Sequence, residues 1–142
     1  MLSKQERIGQ FFISKKAVKA AYQELKKAES YAEKYPHNEL ASLRISKAEK
    51  SFAKAVKDHW GQATPEQVNT AKNGIEKIIS LRRRASKIKK DRYFINLISQ
   101  DEPLTEHQKN NLESRLKRWG FADAYEAHQF LTKTGLILPK QG

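Results

Sequence analysis

Apolar residues along this chain recur at helical intervals, and Pro, Gly and capping residues cut the pattern into segments. Ser3 and Glu6 form an S-x-x-E capping box that opens the first segment. Its stripe runs Phe11, Val18, Leu25 and Ala32 at sevens, with Ala21, Ala28 and Tyr35 interleaved, and Pro36 ends it. Asn38 is the predicted cap of a second helix, with Ala41, Ile45, Ala48, Phe52, Ala55 and then Val56 or His59 facing inward. Gly61 follows its last turn, where a left-handed residue is expected. Thr64-Pro65-Glu66-Gln67 opens a third helix with Thr as cap and Pro in the first turn. Its stripe of Val68, Ala71, Ile75, Ile78, Leu81, Ala85 and Ile88 predicts a continuous helix through Phe94, Ile95 and Ile98 to about Ser99.

Asp101-Glu102-Pro103 is a break. Thr105 with Gln108 caps a fourth helix, lined by Leu112, Leu116 and Trp119 and closed by Gly120. Asp123 and Glu126 form another capping box, which opens a fifth, with Ala127, Phe130 and Leu131 inward and Gly135 at its end. The apolar tail Leu136-Ile137-Leu138-Pro139 is expected to tuck against a neighbouring surface. Long helices joined by short turns run up, down and up. The pattern therefore predicts an all-α protein. Residues 1–99 form an antiparallel three-helix bundle with long helices, and residues 100–142 a small helical hairpin with its own core. Trp60 and Trp119, each just before a glycine, are expected to plug helix ends.

Composition changes this picture little. Of 142 residues, 38% are hydrophobic and 31% charged, a balance that fits helices with narrow apolar stripes. The chain has no cysteine, which excludes disulfides and thiolate chemistry. The N-terminus lacks the apolar core of a signal peptide, and no stretch reaches the ~20 apolar residues of a membrane span. A cytoplasmic protein without a membrane partner is expected.

Charge changes it more. The chain carries 28 Lys and Arg against 16 Asp and Glu, net +12, and all of that excess falls before residue 100. The densest run is Arg82-Arg83-Arg84-Ala85-Ser86-Lys87-Ile88-Lys89-Lys90-Asp91-Arg92, followed at once by Tyr93 and Phe94. On a continuous helix Arg83, Lys87 and Lys90 form an i, i+4, i+7 row opposite the apolar stripe, flanked by Arg82, Arg84 and Lys89, with Arg92 extending it. Cations held at fixed spacing on a rod suit a polyanion, and nucleic acid is the commonest large one. Tyr93 is a candidate for stacking on an unpaired base, whereas Phe94 reads as core. Lys15, Lys16, Lys19, Lys26 and Lys27 on the first helix, and Lys47, Lys50, Lys54 and Lys57 on the second, are further cations, most of them expected to keep a thin bundle in solution.

No catalytic constellation is visible. His37, His59, His107 and His128 lack ligand spacing, and the glycines form no phosphate loop. Asp101, Glu102 and Glu106 read as acids at a helix N-terminus, where the dipole favours them. The sequence predicts neither metal nor cofactor. The segments around Gly120-Phe121-Ala122 invite comparison with a helix-turn-helix, but the last helix is too poor in Arg and Lys for a recognition helix. The expectation is a non-enzymatic nucleic-acid-binding protein that contacts backbone phosphates of DNA or RNA. It would act as an accessory subunit of a nucleoprotein complex or as a homo-oligomer, with the neutral hairpin meeting the partner. The alternative is a protein-interaction factor, an inhibitor or adaptor, that docks its basic face on an acidic protein surface.

Overall fold

The computed structural model describes residues 2–138, and among these every regular element is a helix. The order is α1 Lys4–Ile13, α2 Lys16–Lys34, α3 Glu39–Trp60, α4 Pro65–Ile88, α5 Arg92–Ser99, α6 Glu106–Trp119 and α7 Ala124–Lys133. None is long and apolar enough to cross a membrane. The chain divides into two compact units, Ser3–Ile78 and the residues from Ile79 onward, so the division falls inside α4.

The caps read from sequence are formed. Ser3 and Glu6 exchange hydrogen bonds at α1, as do Thr105 and Gln108 at α6. Thr64 and Gln67 do the same at α4, each bond 3.2 Å long. Asn38 accepts from the Leu40 N–H, and Asp123 from the Glu126 N–H; the Glu126 carboxylate accepts from the Ala122 N–H rather than from that of Asp123, so the capping box expected there is only half formed. Gly61 and Gly120 end their helices with positive φ, a conformation that glycine adopts without penalty.

Two of the three long helices expected from the pattern are interrupted. The first breaks at Ser14-Lys15, where Lys15 is extended and the Ser14 hydroxyl donates to the Phe11 carbonyl at 2.6 Å. The cause lies in the core. Phe12 and Val18 are both completely buried. Six residues apart, they would point roughly 120° away from each other on an uninterrupted helix. The break lets both face inward. It also corrects the expected register: Phe12, not Phe11, is the core residue, and Phe11 and Tyr35 are exposed. In α2 the buried positions are Val18, Tyr22, Leu25 and Ala28.

The same logic ends α4 early. Ile88 and Phe94 are both completely buried and again six apart. The chain turns at Lys89-Lys90, and Asp91 caps α5 by accepting from the Phe94 N–H at 3.2 Å. The predicted continuous helix to Ser99 is therefore two helices.

In the unit Ser3–Ile78, α2 packs along α3, and α1 against α2. Tyr22, Leu25, Phe52, Val56, Ala71, Ile75 and Ile78 fill its core. Trp60 lies edge-on to Phe12 at 4.7 Å between ring centroids, as an end plug should. Helices α1 and α4 approach so closely at Gly9 and Gly74 that a Cβ on Gly9 would overlap the Gly74 carbonyl. Two ion pairs, Lys26–Glu76 and Lys72–Glu29, each 2.8 Å, join α2 to α4.

In the unit from Ile79 onward, Ile88, Phe94 and Leu97 share one core with Leu112, Phe121, Ala127, Phe130, Leu131 and Ile137. Leu81, Ala85, Ile95, Ile98, Leu116 and Trp119 pack against it. The expected hairpin core over 104–138 is thus part of a larger core that takes in residues 81–98, and the compact units do not part near residue 99. In the apolar tail Ile137 is buried and Leu138 is 87% exposed; Pro139 lies outside the described residues.

Candidate nucleic-acid interface

Helix α4 holds Ile88 and, partly, Leu81 and Ala85 on its inward side, which turns Arg82, Arg83 and Lys87 outward to solvent. Lys89 and Lys90 follow in the turn. There the Lys89 N–H still donates to the Ala85 carbonyl at 2.8 Å, while the Asp91 N–H reaches only to the Ile88 carbonyl, also at 2.8 Å. Lys90 therefore leaves the expected helical row, of which Arg83 and Lys87 remain on α4. Arg92 opens α5 and is exposed. Among the described residues, none of Arg82, Arg83, Lys87, Lys89, Lys90 and Arg92 forms an ion pair. Lys87, Lys89 and Lys90 also crowd the carbonyl end of α4, where the helix dipole favours positive charge.

The remaining two candidates have internal partners. Arg84 is half-buried. Its guanidinium lies 4.2 Å from the Phe121 ring centroid and 4.8 Å from that of Phe130, and its Nη2 donates to the Trp119 carbonyl at 2.6 Å. That carbonyl is one of the orphan acceptors at the end of α6. Arg84 thus closes a helix end and covers two aromatic rings. Tyr93 is 39% exposed, but the Arg115 guanidinium stacks 4.8 Å from its ring centroid and its hydroxyl accepts from Asn111 Nδ2 at 3.1 Å. One face of its ring is occupied.

Asp91, the single acid of the run, is the anchor beneath it. Its carboxylate caps α5, accepts from Trp119 Nε1 at 2.9 Å and pairs with Arg115. Burial pushes its carboxyl up. The hydrogen bonds from Trp119, the Phe94 N–H and Arg115, with the charge of Arg115, outweigh that and hold it below the ordinary range. Trp119, expected as a plug, is instead the pin that ties α6 to the α4–α5 turn. Sequence reasoning missed this anchor. The signal was a short acid three residues before an aromatic, the usual spacing of an N-cap to the N–H it receives.

In the other unit, Lys26 is engaged with Glu76 and Glu29, and Lys72 with Glu29. The hydrogen bond to Glu76 raises the Lys26 ammonium above its usual range, burial opposing it. Lys47, Lys50, Lys54 and Lys57 of α3 are exposed, with no ion pair among the described residues. Among the described residues, no group of three or more His, Asp or Glu is placed to hold a metal ion.

Comparison with protein-family models, with curated proteins and with solved structures finds no match to this chain.

Proposed function

We propose that the chain binds nucleic acid without catalysis, through backbone phosphates, with Arg82, Arg83, Lys87, Lys89, Lys90 and Arg92 as the contacting cations. The observation that carries this reading is their common state: all are exposed, within eleven residues of one another, and without an acidic partner among the described residues. Solvated cations of this density release counterions when they meet a phosphate chain, and that release dominates binding. Arg84 is left out because its guanidinium is engaged inside the fold. Tyr93 is kept as a stacking residue because its side chain stays partly exposed beside Arg115. The proposal extends to an accessory role in a nucleoprotein complex of the cytoplasm.

The test is fluorescence anisotropy with short duplex DNA, single-stranded DNA and RNA over a range of salt. Arg83→Glu/Lys87→Glu/Lys90→Glu should abolish binding to the preferred form at constant helicity. Replacement of the same residues by Gln should flatten the salt slope by ~0.7–0.9 per lost phosphate contact. Arg84→Gln should lower the melting temperature and leave the slope unchanged. Wild-type affinity in the triple Glu variant would refute the assignment.

A further inference from the structure

The outward side of α3 carries an ordered surface that phosphate binding leaves unexplained. Its buried residues, Ala41, Ala48, Phe52, Ala55 and Val56, lie on one side. At about 100° per residue, Leu40, Leu43, Lys47, Lys50, Lys54 and Lys57 fall in a stripe roughly 100° wide on the opposite side. Their spacing alternates three and four, the register in which one helix receives another. Leu40 is 67% exposed and Leu43 66%. The four lysines continue the same line, exposed and without ion pairs among the described residues. Of the acids on α3, Glu39 and Asp58 sit at the two ends of the stripe and Glu49 off its side.

We propose that this stripe docks an acidic amphipathic helix of a partner protein. Two apolar residues of the partner cover Leu40 and Leu43, and carboxylates further along it face Lys47, Lys50, Lys54 and Lys57. Charge complementarity selects this occupant. A second copy would set lysine against lysine in either chain direction. A phosphate chain would satisfy the lysines and leave the leucines in water. A bilayer needs apolar residues along the whole line, and here they occupy only its first turn. The stripe spans about 26 Å, the length of a partner helix of about 18 residues. A single-helix contact of this kind belongs to the small, transient class of interface.

The test uses the full chain and synthetic helical peptides of about 20 residues. One series carries Leu at two heptad positions and Glu at the next four, in both chain directions. A second series replaces those Glu by Lys. The Leu/Glu peptide in one direction should bind one-to-one at physiological salt. Lys47→Glu/Lys50→Glu/Lys54→Glu should weaken it more than about tenfold and create binding of the Lys peptide, since like charges across an interface repel. Leu40→Ser/Leu43→Ser should weaken the Leu/Glu peptide about tenfold or more, from lost apolar burial. The serine variant should bind nucleic acid as the wild type does, because Arg82–Arg92 is untouched, so this proposal can fail without the previous one. Unchanged peptide affinity in the serine variant would reduce the contact to general polyanion attraction and overturn it. So would a triple Glu variant that loses duplex DNA or anionic vesicles while keeping the peptide.

Discussion

Arg84 and Asp91 show how far one residue can depart from the run in which it sits. Both read as members of a solvated basic segment, yet their partners, Trp119, Phe121, Phe130 and Arg115, lie 24 to 46 positions further along the chain. No local pattern encodes partners at that distance, whereas the outward placement of Arg83 and Lys87 follows directly from helical period. Arg84→Ala should destabilise the unit from Ile79 onward by ~1.5–3 kcal/mol, the worth of a hydrogen bond to a charged group, with the ring contacts adding to it; urea denaturation measures this. Arg84→Lys should recover only part, because an ammonium cannot stack flat on two rings. Asp91 sets a pH dependence. A carboxyl held below its ordinary range in the fold binds its proton more readily when unfolded. Its stabilising effect is present above the ordinary Asp value and is lost as pH falls through ~4 and below. Glu29 acts in the same sense: burial raises its carboxyl, and Lys72, then Lys26, outweigh that. The melting temperature of the wild type should therefore drop on acidification below about pH 4–5. Asp91→Asn should start lower and fall less steeply, with Glu29 contributing to the slope that remains.

At the scale of elements, starts and ends were legible and interruptions were not. Ser3, Asn38, Thr64, Thr105 and Asp123 cap as their residue types require, because capping is a matter of three or four neighbouring residues. The breaks after Ile13 and after Ile88 obey a different demand. In each case two side chains six apart, Phe12 with Val18 and Ile88 with Phe94, are both completely buried. The sequence also offers an uninterrupted choice, Phe11 with Val18 or Ile88 with Ile95, at seven. Which choice wins depends on the shape of the receiving core, and that is absent from a one-dimensional pattern. Gly9 and Gly74 pose the same difficulty: each looks like an isolated, unfavourable helix residue until the other is seen against it. Gly9→Ala should raise the intrinsic helix propensity of α1 by up to ~1 kcal/mol. It should nevertheless destabilise the protein, because the added methyl overlaps backbone atoms of Gly74 and Ile75 that cannot rotate away. Overpacking of this kind costs ~1–3 kcal/mol, so chemical denaturation should show a net loss.

At the scale of the whole molecule, helical class was readable and the partition of the chain was not. Charge suggested a basic part ending near residue 99 and a neutral remainder. Yet the segments before and after Ile79 each carry a net +6, because the run Arg82–Arg92 shares its unit with the neutral residues that follow. Charge patterning reports on surfaces; the partition is set by which apolar faces meet. Those of 81–98 meet 104–137. A chain ending at Gln100 puts the two partitions in opposition. Truncation removes Leu112, Phe121, Phe130, Leu131 and Ile137, each worth ~1.5–3 kcal/mol when buried. Together they match or exceed much of the ~5–15 kcal/mol by which a typical domain is stable. Ile88, Phe94 and Leu97 would be left without a core, and Asp91 without Trp119 and Arg115. Hydrogen exchange on the truncated chain should show amides of 81–98 exchanging as in an unfolded segment, while those of α2 and α3 stay protected. Its affinity for nucleic acid should fall as well, because the cations from Arg82 to Arg92 would lose the α4–α5 turn that holds them together. Retained protection across 81–98 would mean that these residues fold with the first part of the chain, as the charge pattern implied.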